Sequence, residues 1–210
     1  MKTVESACWC KICGITSPED ASAVVGLGVD SIGLNFYKKS PRFITNEKAI
    51  DIVSSAENCF KVALFVDPTT EEVENVLNEV DIDGLQFHGD ESKEFCEGFG
   101  KQYIKAIKID GDSSYGALED YHPGAWAILV DSYVQGLAGG TGKTFDWESW
   151  PKEVGRRLIL SGGLTAENVA AGIRSTKPFG VDVSSGVEGV HKGIKNIELV
   201  EKFMQEIQIA

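Results

Sequence analysis

Short apolar runs rich in β-branched residues recur along the chain, and amphipathic helical stretches separate most of them. Eight of these runs have the length of a strand: residues 7–13, 31–36, 61–66, 84–88, 103–109, 126–131, 157–162 and 180–185. The clearest helical stretches cover residues 17–28, 45–57, 69–80 and 165–175. Several of them open on Ser or Thr followed by an acidic residue, which is typical of a capped helix N-terminus. Strands that alternate with helices in this way predict a parallel sheet.

Eight strand–helix units within 210 residues predict a (β/α)8 barrel, near the lower size end of that fold. The alternative is a doubly wound open sheet, which would need a G-x-G-x-x-G loop after its first strand. Residues 13–20 read CGITSPED and do not match that loop. No stretch has the composition of a linker, so we expect a single domain over residues 1–210.

The charge balance excludes one class of partner. The chain has 20 Lys and Arg against 32 Asp and Glu, a formal net charge of −12. Such an excess of acid argues against binding nucleic acid, whose affinity depends on neutralising phosphates. No apolar run is long enough for a signal peptide or a membrane span, so we expect a cytoplasmic protein without a membrane partner. An anionic substrate would need a positive potential that is built locally.

Three of the five cysteines lie within CWCKICGIT, residues 8–16. A disulfide needs Cα atoms within about 7 Å, whereas Cys10 and Cys13 would lie roughly 10 Å apart along an extended strand. Side chains alternate between the faces of a strand, so Cys8 and Cys10 share one face while Cys13 shares the other with Lys11. We therefore interpret Cys13, at the C-terminal strand end, as the reactive thiol and the other two as small packing residues. Lys11 is placed to assist it.

A metal site is poorly supported by the residue types. The chain has three histidines, at positions 88, 122 and 191, and none is paired at helical or strand spacing. Structural zinc needs four ligands, usually in two close pairs, and a second pair is missing here. We therefore predict no metal.

Two glycine-rich turns follow the last two predicted strands. They read SGGL at residues 161–164 and SSGV at residues 184–187. In many (β/α)8 barrels these two loops bind phosphate, because glycine lets backbone N–H groups approach the phosphate oxygens. The long connection over residues 132–147 carries Lys143 and is interpreted as a lid, with a plain surface loop as the alternative. Its GGTGKT stretch is not a nucleotide loop, because Leu137 stands where the first glycine is required.

Cys13 and Asp131 close the first and sixth predicted strands, at the end where barrel active sites lie. A thiol has an ordinary pKa near ~8.5, so a neighbouring cation would be needed to favour the thiolate. An aspartate acts as an acid only if burial or a nearby charge holds its proton. The pair is a plausible base and acid. His88 lies at the end of the fourth predicted strand and is a further candidate for the site. The alternative is that it is a polar residue whose hydrogen bonds are made within the fold.

Seven motifs then appear in order: KICGIT (11–16), SPRFI (40–44), FHGDE (87–91), LVDS (129–132), GGTGKTFDW (139–147), LSGGLTAENV (160–169) and VDVSSGVE (181–188). Together they resemble the phosphoribosylanthranilate isomerase family of tryptophan biosynthesis. The resemblance implies a (β/α)8 barrel and an Amadori rearrangement of a small phosphosugar, without cofactor or metal. We expect a monomer or a homodimer.

The resemblance also implies roles for individual residues. Cys13 would be the general base, Asp131 the general acid, and Arg42 the ligand of the anthranilate carboxylate, whose geometry suits a planar guanidinium. His88 is expected to contact the substrate and Lys143 to belong to the lid. The phosphate-binding set would be Gly162, Gly163, Ser185 and Gly186, with Asp182 organising that loop.

Three other functions fit the sequence less well. The related phosphosugar isomerase of histidine biosynthesis shares the barrel and the reaction type but uses an aspartate where this chain has Cys13. A metal-dependent phosphosugar epimerase is poorly served by three histidines. A catalytically inactive binding module is opposed by the presence of both Cys13 and Asp131.

Phe87 departs from the leucine that often precedes the His-Gly pair of this family, and it does not bear on the chemistry.

Overall fold

All eight predicted strands pair into one closed barrel in the computed structural model, which describes residues 8–108, 118, 120–131, 147, 150–151 and 154–210. The strands are β1 (Trp9–Cys13), β2 (Ser31–Asn35), β3 (Phe60–Phe65), β4 (Gly84–Phe87), β5 (Gln102–Lys108), β6 (Ala127–Asp131), β7 (Leu158–Ser161) and β8 (Gly180–Val183). Each strand pairs in parallel with its neighbours in sequence, and β8 pairs with β1 to close the ring. The predicted (β/α)8 class is confirmed, because an open sheet would leave its two outermost strands each with one unpaired edge, whereas every strand here has two neighbours.

Six α-helices lie in the described part of the chain: α1 (Pro18–Gly26), α2 (Asn46–Ser54), α3 (Thr70–Glu79), α4 (Lys93–Glu97), α5 (Val169–Thr176) and α6 (Ile197–Gln208). The predicted caps form at the first three, where the hydroxyls of Ser17, Thr45 and Thr69 accept backbone N–H groups of the first turn. No helix among these has the length and apolar character needed to cross a membrane.

Helix α5 begins at Val169, whereas the sequence pattern predicts a start at Thr165. The Asn168 side chain accounts for the difference. Its Oδ1 accepts the N–H of Thr165 at 2.8 Å, and its Nδ2 donates to the carbonyl of Gly163 at 2.9 Å. These bonds hold residues 163–168 as a turn that leads from β7 into the helix.

The barrel interior is apolar in one half and polar in the other. Near the N-terminal ends of the strands, a small apolar cluster fills the interior and packs against two tryptophans: Ile104, Ala106, Ala127, Leu129 and Ile159. Toward the C-terminal ends, buried polar side chains of β1, β4, β7 and β8 replace it. Burying polar groups costs free energy unless they are paired. The polar half therefore marks the barrel mouth as the place where this fold carries chemistry.

A buried ion pair between Lys105 and Glu91, on the outer side of the barrel, holds the loop that follows β4 in place. Lys105 Nζ lies 3.1 Å from Glu91 Oε2, with the two side chains 0% and 3% exposed. Glu91 also accepts the backbone N–H groups of Asp67 and Gly89, and Lys105 donates to the carbonyl of Gly89 at 2.6 Å. The loops after β3 and β4 are thus joined next to His88.

Replacing Lys105 by methionine is expected to lower the free energy of unfolding by about 3–5 kcal/mol, because it leaves the Glu91 carboxylate buried without its counterion. Urea denaturation measures this. The control is Lys61→Met, which removes the partly exposed pair with Asp83 (3.1 Å) and should cost no more than about 1 kcal/mol. A loss at Lys105 as small as that of the control would show that the buried pair does not stabilise the fold.

Candidate active site at the barrel mouth

Cys13 is the last residue of β1 and is 6% exposed at the mouth. Its Cα partner across the ladder is Gly33 of β2. A Cβ atom at Gly33 would lie 2.7 Å from Cys13 Sγ and 3.1 Å from Lys11 Nζ. Glycine at this position therefore leaves the space in which the thiol and the ammonium group lie together. The chain turns immediately afterwards at Gly14, whose φ of 75° is in the left-handed region.

Lys11 and Asp182 form a buried ion pair behind the thiol. They are direct partners in the ladder between β1 and β8, and Lys11 Nζ lies 2.8 Å from Asp182 Oδ1, with side chains 0% and 7% exposed. Burial alone would lower the pKa of Lys11, but the charge of Asp182 raises it above its ordinary value. Lys11 is therefore a permanent cation at the base of the site.

Asp131, at the end of β6, is joined to His88 and Gln86 by a chain of polar contacts across the barrel. His88 Nε2 lies 3.3 Å from Asp131 Oδ2, and Gln86 Nε2 lies 3.3 Å from His88 Nδ1. When the amide N–H donates to Nδ1, the ring proton is on Nε2 and points at Asp131. That tautomer follows from the assigned amide orientation. Sequence reasoning missed Gln86, for which a glutamine in a buried strand two residues before His88 was the available signal.

Arg42 lies in the loop after β2, where its guanidinium is held by Glu188. Nε and Nη2 lie 2.6 Å and 2.7 Å from the two carboxylate oxygens, and Nη1 takes no part in this pair. Glu188 Oε1 also accepts Lys195 Nζ at 3.0 Å. Sequence reasoning missed both partners: Glu188 lies within the motif at 181–188, whereas nothing in the sequence around Lys195 indicated this contact.

The glycine turns after β7 and β8 meet at the same mouth. Gly162 and Gly163 have φ angles of 88° and 64°, which glycine adopts readily and other residues rarely do. Ser185 and Gly186 lie in a 3-10 turn over Ser185–Val187, and a Cβ atom at Gly186 would overlap the carbonyl oxygen of Leu164. The two turns therefore pack backbone against backbone. Next to them, the buried Ser184 hydroxyl finds no hydrogen-bond partner among the described residues.

The structure thus brings most of the predicted residues to one end of the barrel. Asp182 is also there, within β8: its Oδ1 pairs with Lys11, and its Oδ2 accepts the hydroxyl of Ser161, the last residue of β7, at 3.4 Å. Lys143 and the lid predicted around it lie outside the described residues. Across the ranges that are described, His, Cys, Asp and Glu form no group of three that could hold a metal ion.

Eight parallel strands in a ring, with ionisable side chains at their carboxyl ends, define a barrel enzyme of the acid–base type. Comparison with known proteins gives the family. Residues 10–206 match the family model of N-(5'-phosphoribosyl)anthranilate (PRA) isomerase, and the chain belongs to that family.

Individual relatives agree with this assignment. A protein of Pseudomonas fluorescens strain Pf-5 named N-(5'-phosphoribosyl)anthranilate isomerase is 45% identical over 199 residues, 94% of each chain. The crystal structure of phosphoribosyl anthranilate isomerase from Thermotoga maritima superposes with a TM-score of 0.83 at 35% identity, over 96% of this chain and 98% of that one. A crystal structure of such an isomerase in complex with reduced 1-(o-carboxyphenylamino)-1-deoxyribulose 5-phosphate gives 0.80 at 33% identity, with the same coverage.

Proposed function

We propose that this chain converts N-(5'-phosphoribosyl)anthranilate into 1-(o-carboxyphenylamino)-1-deoxyribulose 5-phosphate, an Amadori rearrangement of tryptophan biosynthesis. The observation that carries the proposal is the placement of Cys13 and Asp131. They close β1 and β6 at the same end of one barrel, where the glycine turns after β7 and β8 also lie. Membership of the isomerase family supports the same reaction.

The proposed reaction begins at Asp131. Its carboxylic acid gives a proton to the ribose ring oxygen, the bond from that oxygen to C1 breaks, and the nitrogen lone pair forms the C1=N bond of a Schiff base. The thiolate of Cys13 then removes the proton from C2, the electrons of the C–H bond form the C1=C2 bond of an enolamine, and the π electrons of the C1=N bond return to nitrogen. Tautomerisation of the enolamine gives the ketone. General acid–base steps of this kind contribute roughly 10²–10⁴-fold each.

His88 and the glycine turns are assigned to binding and orientation. The Nε2–H of His88 faces Asp131 Oδ2, so it stabilises the carboxylate that remains after proton transfer, while Oδ1 is the oxygen proposed to carry the proton. Backbone N–H groups of Gly162, Gly163, Ser185 and Gly186 are proposed to bind the phosphate. The Ser184 hydroxyl, which is buried and has no partner among the described residues, is proposed to donate to the same group.

Arg42 is proposed to bind the anthranilate carboxylate through Nη1, while Glu188 fixes the other two nitrogens. A guanidinium held in this way loses little conformational freedom when a second carboxylate arrives. Lys143 is proposed to close over the bound substrate. A monomer or a homodimer is proposed as the active form, and the five free cysteines suit a cytoplasmic protein.

Replacing Arg42 by alanine is expected mainly to raise KM, roughly tenfold to a hundredfold, because a hydrogen bond to a charged group contributes about 1.5–3 kcal/mol. Steady-state kinetics measures KM and kcat. Lys38→Ala is the control on the same loop, since Lys38 makes an exposed pair with Glu72 at 3.2 Å. A KM unchanged by the Arg42 substitution would remove this residue from the carboxylate site.

Genetic complementation tests the function itself. Expression of the chain in a strain that lacks phosphoribosylanthranilate isomerase should restore growth without tryptophan. Folded protein that is present at normal levels and fails to restore growth would contradict the proposal.

A further inference from the structure

Four charged side chains act on the Cys13 thiol, and with Glu188 they form two groups of buried or largely buried ion pairs. Lys11 of β1 pairs with Asp182 of β8 at 2.8 Å. Arg42, from the loop after β2, pairs with Glu188 at 2.6 Å. Lys195, from the segment before α6, pairs with the same Glu188 at 3.0 Å. The other strand beside β1 is β2, which presents Gly33, a residue without a side chain.

These groups do not balance one another. Lys11, Arg42 and Lys195 are cations, while Asp182 and Glu188 are the carboxylates that pair with them. One positive charge remains in excess while Cys13 is a neutral thiol, and the cluster becomes neutral when Cys13 is a thiolate. Uncompensated charge inside a protein is costly. The surroundings of Cys13 are therefore arranged to accept one negative charge.

Among the three cations, Lys11 is the one that shares space with the sulfur. A single point, the position of a Cβ atom at Gly33, lies 2.7 Å from Cys13 Sγ and 3.1 Å from Lys11 Nζ. Arg42 and Lys195 are instead drawn onto Glu188. Asp182 also holds the ammonium group of Lys11, so the lysine cannot move away from this position without breaking a buried ion pair.

We propose that Lys11, held by Asp182, is the positioning residue that allows Cys13 to act as a base, by providing the counterion of its thiolate. This inference rests on the function proposed above. Burial raises the pKa of Cys13, and Asp182 adds to the rise, whereas the charge and hydrogen bond of Lys11 and the charge of Lys195 oppose it. Removing Lys11 takes away the largest of the effects that favour the thiolate.

Loss of Lys11 is expected to raise the pH at which Cys13 becomes active as a base. A thiol is active as a base only in its deprotonated form, so a higher pKa moves the onset of activity to higher pH. Loss of a cation this close is expected to move it by about 1–3 pH units. Below the new pKa, each pH unit lowers the thiolate fraction tenfold.

The test uses the full-length Lys11→Met variant and two readouts. One is the acid limb of kcat/KM against pH. The other is the pH dependence of Cys13 alkylation by iodoacetamide, followed on the peptide that contains Cys13. Both should move upward by about 1–3 pH units, with activity at neutral pH reduced at least about tenfold and recovered at high pH. An unchanged alkylation profile would overturn the proposal.

Lys105→Met is the matched control, since Lys105 is equally buried and equally paired with a carboxylate but lies on the outer side of β5. In this control, the pH dependence of Cys13 alkylation should be the same as in the wild type. A shift as large as that of Lys11→Met would show that loss of stability causes the effect, and it would contradict the proposal. Lys11→Arg, which keeps the charge, should shift less than Lys11→Met. If Lys11→Met fails to fold, Lys195→Met removes another cation that faces the thiol and should shift the profile in the same direction; no shift there would count against the charge argument.

Failure of this inference is distinguishable from failure of the proposed function. Alkylation of Cys13 needs no substrate, so it reports on the thiol even in an inactive protein. If the wild-type enzyme is active but Lys11→Met leaves the pH dependence of Cys13 alkylation unchanged, only the inference is overturned. If the wild-type protein is inactive but Lys11→Met still shifts the pH dependence of Cys13 alkylation, the isomerase function is overturned, while the effect of Lys11 on the thiol is supported.

Discussion

Replacing Cys13 by alanine is expected to lower kcat by about 10²–10⁴-fold, because the variant loses the thiolate that is proposed to take the proton from C2. The change removes one sulfur atom at the barrel mouth. The residue opposite Cys13 on β2 is Gly33, which has no side chain to lose a contact, so the variant is expected to fold. The measurement is the steady-state rate of substrate conversion at saturating concentration, with circular dichroism to establish that the variant is folded.

Cys10→Ala is the control for this experiment. Cys10 lies on the same strand but faces the helices in the apolar core, where it is 1% exposed. Its removal deletes a thiol of equal size and should cost some stability while leaving kcat unchanged. Near-normal kcat in the Cys13 variant would show that the base is another group.

Replacing Asp131 by asparagine is the second large effect, an expected fall in kcat of about 10²–10⁴-fold. The amide keeps the shape of the carboxyl group and its contact with His88, but it has no acidic proton to give to the ring oxygen. Because the lost interaction belongs to the transition state, kcat and kcat/KM should fall together. A rise in KM with kcat preserved would make Asp131 a binding residue and leave the acid unidentified.

The matched control is Asp83→Asn. Asp83 immediately precedes β4, at the opposite end of the barrel, and it also has a partner, the backbone N–H of Lys61 at 2.8 Å. This variant should keep wild-type kcat. If both aspartate substitutions reduced kcat to the same extent, general loss of stability would explain the result.

The fold was predictable because each local pattern repeats. All eight strands begin and end within two residues of the predicted bounds, since each is an apolar run that ends at turn residues. Alternation along β1 separated Cys13 from Cys10, and the structure has Cys10 in the outer core while Cys13 lies at the mouth. The family that seven ordered motifs predicted is confirmed by the match over residues 10–206.

The partners of the site residues were less accessible to sequence reasoning. Arg42 and Glu188 are 146 positions apart, and their contact depends on two loops that lie beside each other only after the barrel closes. The Lys11–Asp182 pair depends on the register between β1 and β8, which no local pattern specifies. Gln86 was overlooked because its role appears only when His88 and Asp131, on different strands, come within reach of each other.

The most direct test of the account is the conversion of N-(5'-phosphoribosyl)anthranilate by the purified full-length chain after treatment with a chelator. We expect turnover to 1-(o-carboxyphenylamino)-1-deoxyribulose 5-phosphate by the wild-type protein, and none above the background rate by a folded double variant, Cys13→Ala with Asp131→Asn. A folded wild-type protein that leaves the substrate unchanged, or a double variant that converts it at the wild-type rate, would contradict the account.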